Sequence, residues 1–158
     1  MEWLTAEEQA AWRAFLQATY LLEDHLDRQL QRDAGMPHVY YALLSTLSET
    51  PGRSMRMTEL AERVKITRSR LSHAVSRLEG NGWLRRESCP SDRRGQIAVL
   101  TDAGYDKVVE TAPGHVQAVR GAIFDRLSAE QTAQLGEIAR IIAEGLHGPD
   151  GTDVPWLR

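Results

Sequence analysis

The residues from Met57 to Leu100 constrain the fold more than any other part of this 158-residue chain. Their apolar side chains first recur at steps of three and four, as on helices, and then alternate, as in strands. Ile66 lies in the break between the two helical patterns, and Thr67 is a favourable N-cap for the second helix. Asn81-Gly82 ends that helix with a residue able to take positive φ. The segment predicts two helices, a tight turn between them, and a β-hairpin.

The sequence also predicts where the strands of the hairpin, a further strand and the first helix begin. We expect its strands over residues 83–87 and 96–100, joined by an eight-residue loop over 88–95, and a short third strand over 54–57. Thr58 is expected to cap the first helix. This order is typical of a winged helix-turn-helix, which places one helix in the DNA major groove and a basic hairpin beside it.

The flanking sequence is predicted to be helical. Capping boxes at Thr5–Glu8 and Ser128–Gln131 mark two helix starts, Thr101-Asp102 marks a third, and Pro113-Gly114 is expected to kink or interrupt that helix. The fold class is therefore mainly α with a small β-wing. We predict one domain over 1–158, with dimerisation helices at 6–35 and 101–147, the DNA-binding lobe at 36–100 and a flexible tail at 148–158.

The charge distribution supports nucleic-acid binding although the whole chain is acidic. The formal net charge is −3, yet residues 53–95 hold eleven Arg and Lys against five Asp and Glu, a net charge of +6. The rest of the chain therefore carries −9. A basic module on an acidic scaffold is the electrostatic pattern expected of a DNA-binding domain.

The second helix of the pair has a polar face suited to DNA. Small hydroxyl side chains let a helix approach the groove, and an arginine that pairs with guanine contributes about 1–3 kcal/mol of discrimination. The helix N-terminus also suits a phosphate. The residues that we predict to contact the major groove are Thr67, Arg68, Ser69, Arg70, Ser72, His73, Ser76 and Arg77.

The hairpin tip supplies a second predicted contact. Arg93 and Arg94 stand beside Asp92, whose carboxylate can hold one guanidinium in a fixed direction. The other arginine is then free to enter a narrow minor groove.

Several other classes of protein are disfavoured. No apolar run approaches the roughly 20 residues of a membrane helix, and the first residues lack a signal-peptide pattern, so a cytoplasmic location is expected. The lone cysteine, Cys89, excludes an internal disulfide framework. The sequence contains no catalytic triad, metal-ligand spacing or phosphate-binding glycine loop, so we expect neither an enzyme nor a cofactor.

The residues Asp92–Gly104, which read DRRGQIAVLTDAG, follow a helix-turn-helix at a characteristic distance. Together with Leu60–Arg63 and Leu78–Leu84 they resemble the MarR family of bacterial regulators. The resemblance covers about residues 8–147. It implies an obligate homodimer, bound to a palindromic site in double-stranded DNA, with Arg94 as the minor-groove probe oriented by Asp92.

The resemblance also implies control by a signal. Many relatives release DNA when a small aromatic or phenolic acid fills a crevice between the dimerisation helices and the DNA-binding lobe, and we expect a repressor of this kind. The candidate lining here is aromatic with a few polar groups, namely Trp12, Tyr20, His38 and Tyr41. A redox response through Cys89, near four arginines, is one alternative. A ligand-independent architectural DNA-binding protein is another.

Overall fold

The structure, a computed structural model, describes residues 1–89 and 92–146, with the backbone alone for Asp92–Arg94. The chain divides into two compact units, Met1–Ala118 and Val119–Arg158. The helices are α1 (Ala6–Ala34), α2 (His38–Ser48), α3 (Met57–Arg63), α4 (Arg68–Gly80), α5 (Asp102–Ala122) and α6 (Ala129–Leu146). The strands are β1 (Ser54–Arg56), β2 (Leu84–Cys89) and β3 (Asp92–Leu100).

The two predicted capping boxes are confirmed. At the start of α1 the Thr5 hydroxyl accepts from Glu8 N, and Thr5 N donates to the Glu8 carboxylate at 2.7 Å. Because this bond favours the charged form, the pKa of Glu8 is lowered. Gly35 ends the helix in the left-handed conformation, with φ of 66°. The second capping box is also present, between Ser128 and Gln131.

The first unit packs around α2, as expected for a short helix that is apolar almost all round. Leu43, Leu44 and Leu47 of this helix are completely buried. They belong to one apolar cluster with side chains from α1, the sheet, α3, α4 and α5. Burying each such leucine contributes about 1.5–3 kcal/mol, so this cluster is the main source of stability in the unit.

The sheet is antiparallel with the order β1-β3-β2. The predicted loop over 88–95 is too long, because β3 begins at Asp92, which pairs with Cys89 after an irregularity at Ser88. The prediction that Thr58 caps α3 is also wrong. The chain passes directly from β1 into the helix, so the N-cap is Arg56 and Thr58 lies inside the first turn.

Helix α5 runs through Pro113 without interruption and ends at Ala122. Proline lacks the N–H that would bond the carbonyl of Val109, one turn earlier. Val109 is exposed, so water can satisfy that carbonyl and the helix tolerates the proline. The chain leaves the helix at Ile123, whose φ and ψ are −120° and −71°.

Val119–Arg158 form the second unit, of which α6 is the long helix. The structure has no helix, over residues 1–89 and 92–146, with the length and apolar character needed to cross a bilayer. The tail predicted at 148–158 lies outside the described residues.

Candidate nucleic-acid interface

Helix α4 has one buried face and one exposed face. Its apolar residues at steps of three and four, Leu71, Ala74, Val75 and Leu78, pack into the core of the first unit. Burial of this stripe leaves the opposite face toward solvent. The side chains exposed there include Arg68, Ser69, Arg70, Ser72, His73, Ser76 and Arg77. The structure thus brings together the residues predicted to face DNA on this helix.

The start of α4 is shaped to receive an anion. Thr67 caps the helix, and its hydroxyl accepts from Arg70 N at 3.2 Å. Lys65, in the preceding turn, has φ of 56°, a conformation that non-glycine residues rarely adopt. The turn borders an open groove of about 480 Å³ whose lining is Thr58, Ala61, Glu62, Lys65, Ile66, Thr67 and Arg68. A helix N-terminus flanked by two cations favours a phosphate oxygen.

Arg86 of β2 contacts the same helix and was not among the predicted site residues. Its Nη2 donates to the Ser72 carbonyl oxygen at 3.2 Å and to the Ser76 hydroxyl. Glu79 accepts a bond from Arg86 N at 2.9 Å. The Ser76 hydroxyl therefore accepts a hydrogen bond from Arg86 of the same chain, although the Ser76 side chain is exposed. Strand alternation could have indicated this, since Arg85 and Glu87 pair with each other on the other side of β2.

The wing is the β2–β3 hairpin, whose backbone pairing is regular from Leu84↔Leu100 to Ser88↔Gln96. The side chains of Asp92, Arg93 and Arg94 lie outside the described part of the chain, so their predicted roles stay predictions. Cys89 ends β2 and is buried, with 5% of its surface exposed. Burial restricts the access of an oxidant to its thiol.

A second polar cluster lies where α1, α2 and α5 meet. The His115 ring centroid is 4.6 Å from that of Tyr41 and 5.6 Å from that of His38. His115 Nδ1 lies 3.3 Å from Gln29 Oε1, and Gln29 Nε2 donates to Asp33 at 2.9 Å. Sequence reasoning missed His115, which is 74 residues from Tyr41 and has no local motif.

The environment of this cluster shifts two pKa values. Burial, together with the nearby His38, lowers the pKa of His115, so the neutral ring is favoured. Burial also raises the pKa of Tyr41, with a further contribution from Glu49. A neutral imidazole and a protonated phenol can both donate and accept hydrogen bonds, which suits a polar ligand group.

The other two predicted ligand residues lie elsewhere on α1. Trp12 and Tyr20 are exposed, at 51% and 67%. At about 1.5 Å per residue, Trp12 is roughly 25 Å along the helix from Gln29, and Tyr20 roughly 13 Å. The structure therefore brings His38 and Tyr41 together and places Trp12 and Tyr20 apart from them.

Comparisons with known proteins agree with this architecture. The sequence model of the MarR family matches residues 34–95. Sco3205 of Streptomyces coelicolor, a MarR family transcriptional regulator solved in complex with DNA, is 68% identical, with a TM-score of 0.90 over 100% of this chain and 98% of that one. AbsC, another MarR family regulator of that organism, is 42% identical, with a TM-score of 0.85 over 92% and 98%.

A curated relative extends the comparison to Escherichia coli O111:H-. Its transcriptional regulator HosA is 27% identical over 81% of this chain and 93% of its own length. These relatives are regulators and not enzymes, as expected here from the absence of a catalytic motif. The winged helix-turn-helix, its exposed recognition helix α4 and the full-length likeness to such regulators lead to one conclusion: the chain belongs to the MarR family of transcriptional regulators.

Proposed function

We propose that this protein binds palindromic sites in double-stranded DNA as a homodimer and thereby regulates transcription, most simply as a repressor that occludes the promoter. The observation that carries the proposal is the exposed polar face of α4, whose orientation is set by a buried apolar face. Its likeness to Sco3205, solved with DNA, supports the same role. In this proposal α4 enters the major groove, and Arg70 and Arg77 read base edges or contact phosphates.

The homodimer is supported by exposed apolar residues on the long helices. Such side chains rarely stand together on the surface of a monomer. The exposed large ones include Trp3, Trp12, Phe15 and Leu21 before and on α1, and Leu135, Ile138, Ile141 and Ile142 on α6. Sedimentation equilibrium should give the mass of two 17.7 kDa chains. A monomer at micromolar concentration would contradict this part of the proposal.

Binding can be tested by fluorescence anisotropy with a duplex that the protein selects from a randomised pool. At physiological salt the selected duplex should bind about 10³-fold or more tightly than a scrambled one of equal composition. A strongly salt-dependent curve that is the same for both duplexes would instead favour the architectural alternative.

Arg70→Ala examines the recognition helix itself. If Arg70 pairs with a guanine, its loss should lower the affinity for the selected duplex about 5- to 100-fold and leave the affinity for the scrambled duplex nearly unchanged. Equal losses on both would make Arg70 a phosphate contact. Arg32→Ala, which removes an exposed arginine near the end of α1, is the matched control for the loss of one positive charge.

The wing is proposed to contact the minor groove through Arg94, oriented by Asp92. Arg94→Ala should lower the affinity for DNA and leave the dimer intact, as judged by sedimentation. Arg93→Ala is the matched control, because it removes the same charge from the same tip. Unchanged binding by the Arg94 variant would refute this assignment.

We further propose that a small aromatic acid binds beside His115 and releases DNA. The favouring observation is Thr111, whose buried hydroxyl has no hydrogen-bond partner among the described residues. Thr111 lies one turn before His115 on α5, so both side chains are on one face of the helix. Together with Tyr41 and His38 they offer aromatic walls and polar groups that a carboxylate or phenol can use.

Salicylate is a suitable probe. Millimolar salicylate should release the selected duplex from the parent protein, and Thr111→Val should reduce the effect by removing the hydroxyl at nearly constant volume. Equal release from the variant would argue against this location. Trp12 and Tyr20, roughly 25 and 13 Å along α1 from Gln29, are not part of this proposed site.

The redox alternative needs its own test. Cys89→Ser should retain DNA binding under peroxide if Cys89 is the sensor. If peroxide releases DNA from the variant as readily as from the parent, Cys89 is not the sensor. The burial of Cys89 at the end of β2 favours this second result.

A further inference from the structure

Arg86 joins the recognition helix to the wing at several points. Its main-chain N–H donates to Glu79 Oε1 at 2.9 Å, and its Nη2 donates to the Ser72 carbonyl and the Ser76 hydroxyl. Its Nε is 3.1 Å from Glu79 Oε2, an ion-pair contact without hydrogen-bond alignment. The three partners follow one another at steps of four and three, and therefore form one edge of α4.

The ion pair between Arg86 and Glu79 is partly shielded from water, whereas the bonds to Ser72 and Ser76 lie at exposed residues. The side chains of Arg86 and Glu79 are 22% and 31% exposed, whereas those of Arg85 and Glu87, the adjacent pair on β2, are 56% and 49% exposed. A partly shielded ion pair is screened less by water and salt than an exposed one. Arg86 therefore makes a defined contact with α4, while Arg85 forms an ordinary surface ion pair.

The apolar contacts of α4 determine which face is buried, but they constrain the exact rotation of the helix less than directional bonds do. Burial of Leu71, Val75 and Leu78 holds the helix against the core, but the hydrophobic effect is non-directional. The guanidinium of Arg86 is planar and presents donors in a fixed geometry. Its bonds to two turns of α4 therefore add directional contacts that can fix the rotation of the helix relative to β2 more finely.

We propose that Arg86 is a positioning residue that sets the orientation of α4 relative to the wing, and through it the sequence specificity of the protein. This inference rests on the proposed function, because it assigns DNA recognition to those two elements. Arg86 acts through Ser72, Ser76 and Glu79 and does not itself contact DNA.

Arg86→Lys tests this role because it keeps the positive charge and replaces the planar guanidinium, with its several N–H donors, by a single ammonium group. A lysine has one side-chain nitrogen. It cannot place one nitrogen at the Ser76 hydroxyl and another beside the Glu79 carboxylate, as the guanidinium does. The affinity for the selected duplex should fall about tenfold or more, the affinity for the scrambled duplex should change less than about twofold, and the salt slope should be unchanged. Arg85→Lys, with the same substitution one residue earlier, should retain the parent's preference.

Two other outcomes would overturn the inference. If Arg86 contacts a phosphate, Arg86→Ala should weaken both duplexes equally and reduce the salt slope by about one. If Arg86 only stabilises the fold, Arg86→Lys should melt at lower temperature yet keep the full preference when measured well below its transition. A parent protein without any preference would instead refute the proposed function.

Ser76→Ala keeps the test decisive if the Arg86 variants do not fold. It removes one acceptor of the Arg86 guanidinium and favours the helix slightly. Specificity should fall in the same direction, by about threefold, as the loss of one hydrogen bond allows. Thr19→Ala, which removes a half-buried hydroxyl from α1, is the control for the loss of a hydroxyl from a helix outside the proposed DNA contacts. If Ser76→Ala retains the full preference of the parent, the guanidinium bond to this helix does not set specificity.

Discussion

Gly104 lies where α5 packs closely against the winged lobe. A Cβ added there would lie 2.1 Å from the Trp83 carbonyl oxygen and 2.7 Å from Leu100 Cδ1. The helix cannot simply withdraw, because Thr101 N donates to the same oxygen at 3.1 Å and the Thr101 hydroxyl donates to Gly82 O at 2.7 Å. Gly104→Ala must therefore displace backbone and break at least part of this junction.

The expected cost follows from these contacts. Forced overpacking costs about 1–3 kcal/mol, and an obstructing backbone atom places this site near the upper end. The higher helix propensity of alanine offsets about 1 kcal/mol of this loss in the free energy of unfolding. The net loss of about 2 kcal/mol corresponds to a fall in Tm of roughly 4–8 °C for a chain of this size.

Thermal unfolding followed by circular dichroism measures this change. Parent and variant must be compared at equal concentration, since the Tm of a dimer depends on it. Gly121→Ala, on the same helix with open space around its Cα, should leave Tm unchanged or raise it. A Gly104→Ala protein that melts within about 1 °C of the parent would refute the packing argument.

Three further predictions concern stability. Thr67→Ala removes the cap of α4 and should cost about 1 kcal/mol in urea unfolding; no change would contradict the capping role. Lys65 bears the cost of positive φ, about 1–2 kcal/mol for a residue with a side chain, so Lys65→Gly should leave stability unchanged or raise it, whereas Lys65→Val should lower it; an equal loss in both would refute strain there. Because the folded pKa of His115 is lowered, the unfolded chain binds more protons below about pH 6.5. The parent should therefore lose more Tm than His115→Gln between about pH 7.5 and 5.5, and parallel losses would exclude this linkage.

Local rules predicted the parts of the fold that local chemistry determines. Thr5, Thr67 and Ser128 each cap a helix because a hydroxyl reaches an N–H three residues later. Gly82 takes φ of 73° at the predicted end of the recognition helix. The wing loop was overestimated because pairing between β2 and β3 continues to Cys89 and Asp92, which depends on partners across the hairpin.

The residues of the candidate sites also fall into those that the local sequence pattern predicts and those that only tertiary packing reveals. The exposed face of α4 followed from the period of Leu71, Val75 and Leu78, so sequence sufficed. Arg86 and His115 were missed because their partners lie 7–14 and 74–86 residues away and are joined only by tertiary packing.

Methylation interference on the selected duplex tests the central claim most directly, because guanine N7 lies in the major groove. If two copies of α4 read a palindrome, interference should appear in two patches centred about 10–10.5 base pairs, or a multiple of that, apart. Arg70→Ala should remove interference at one guanine in each patch. Specific binding with no interference at any guanine N7, or with one unpaired patch, would contradict recognition by a pair of α4 helices.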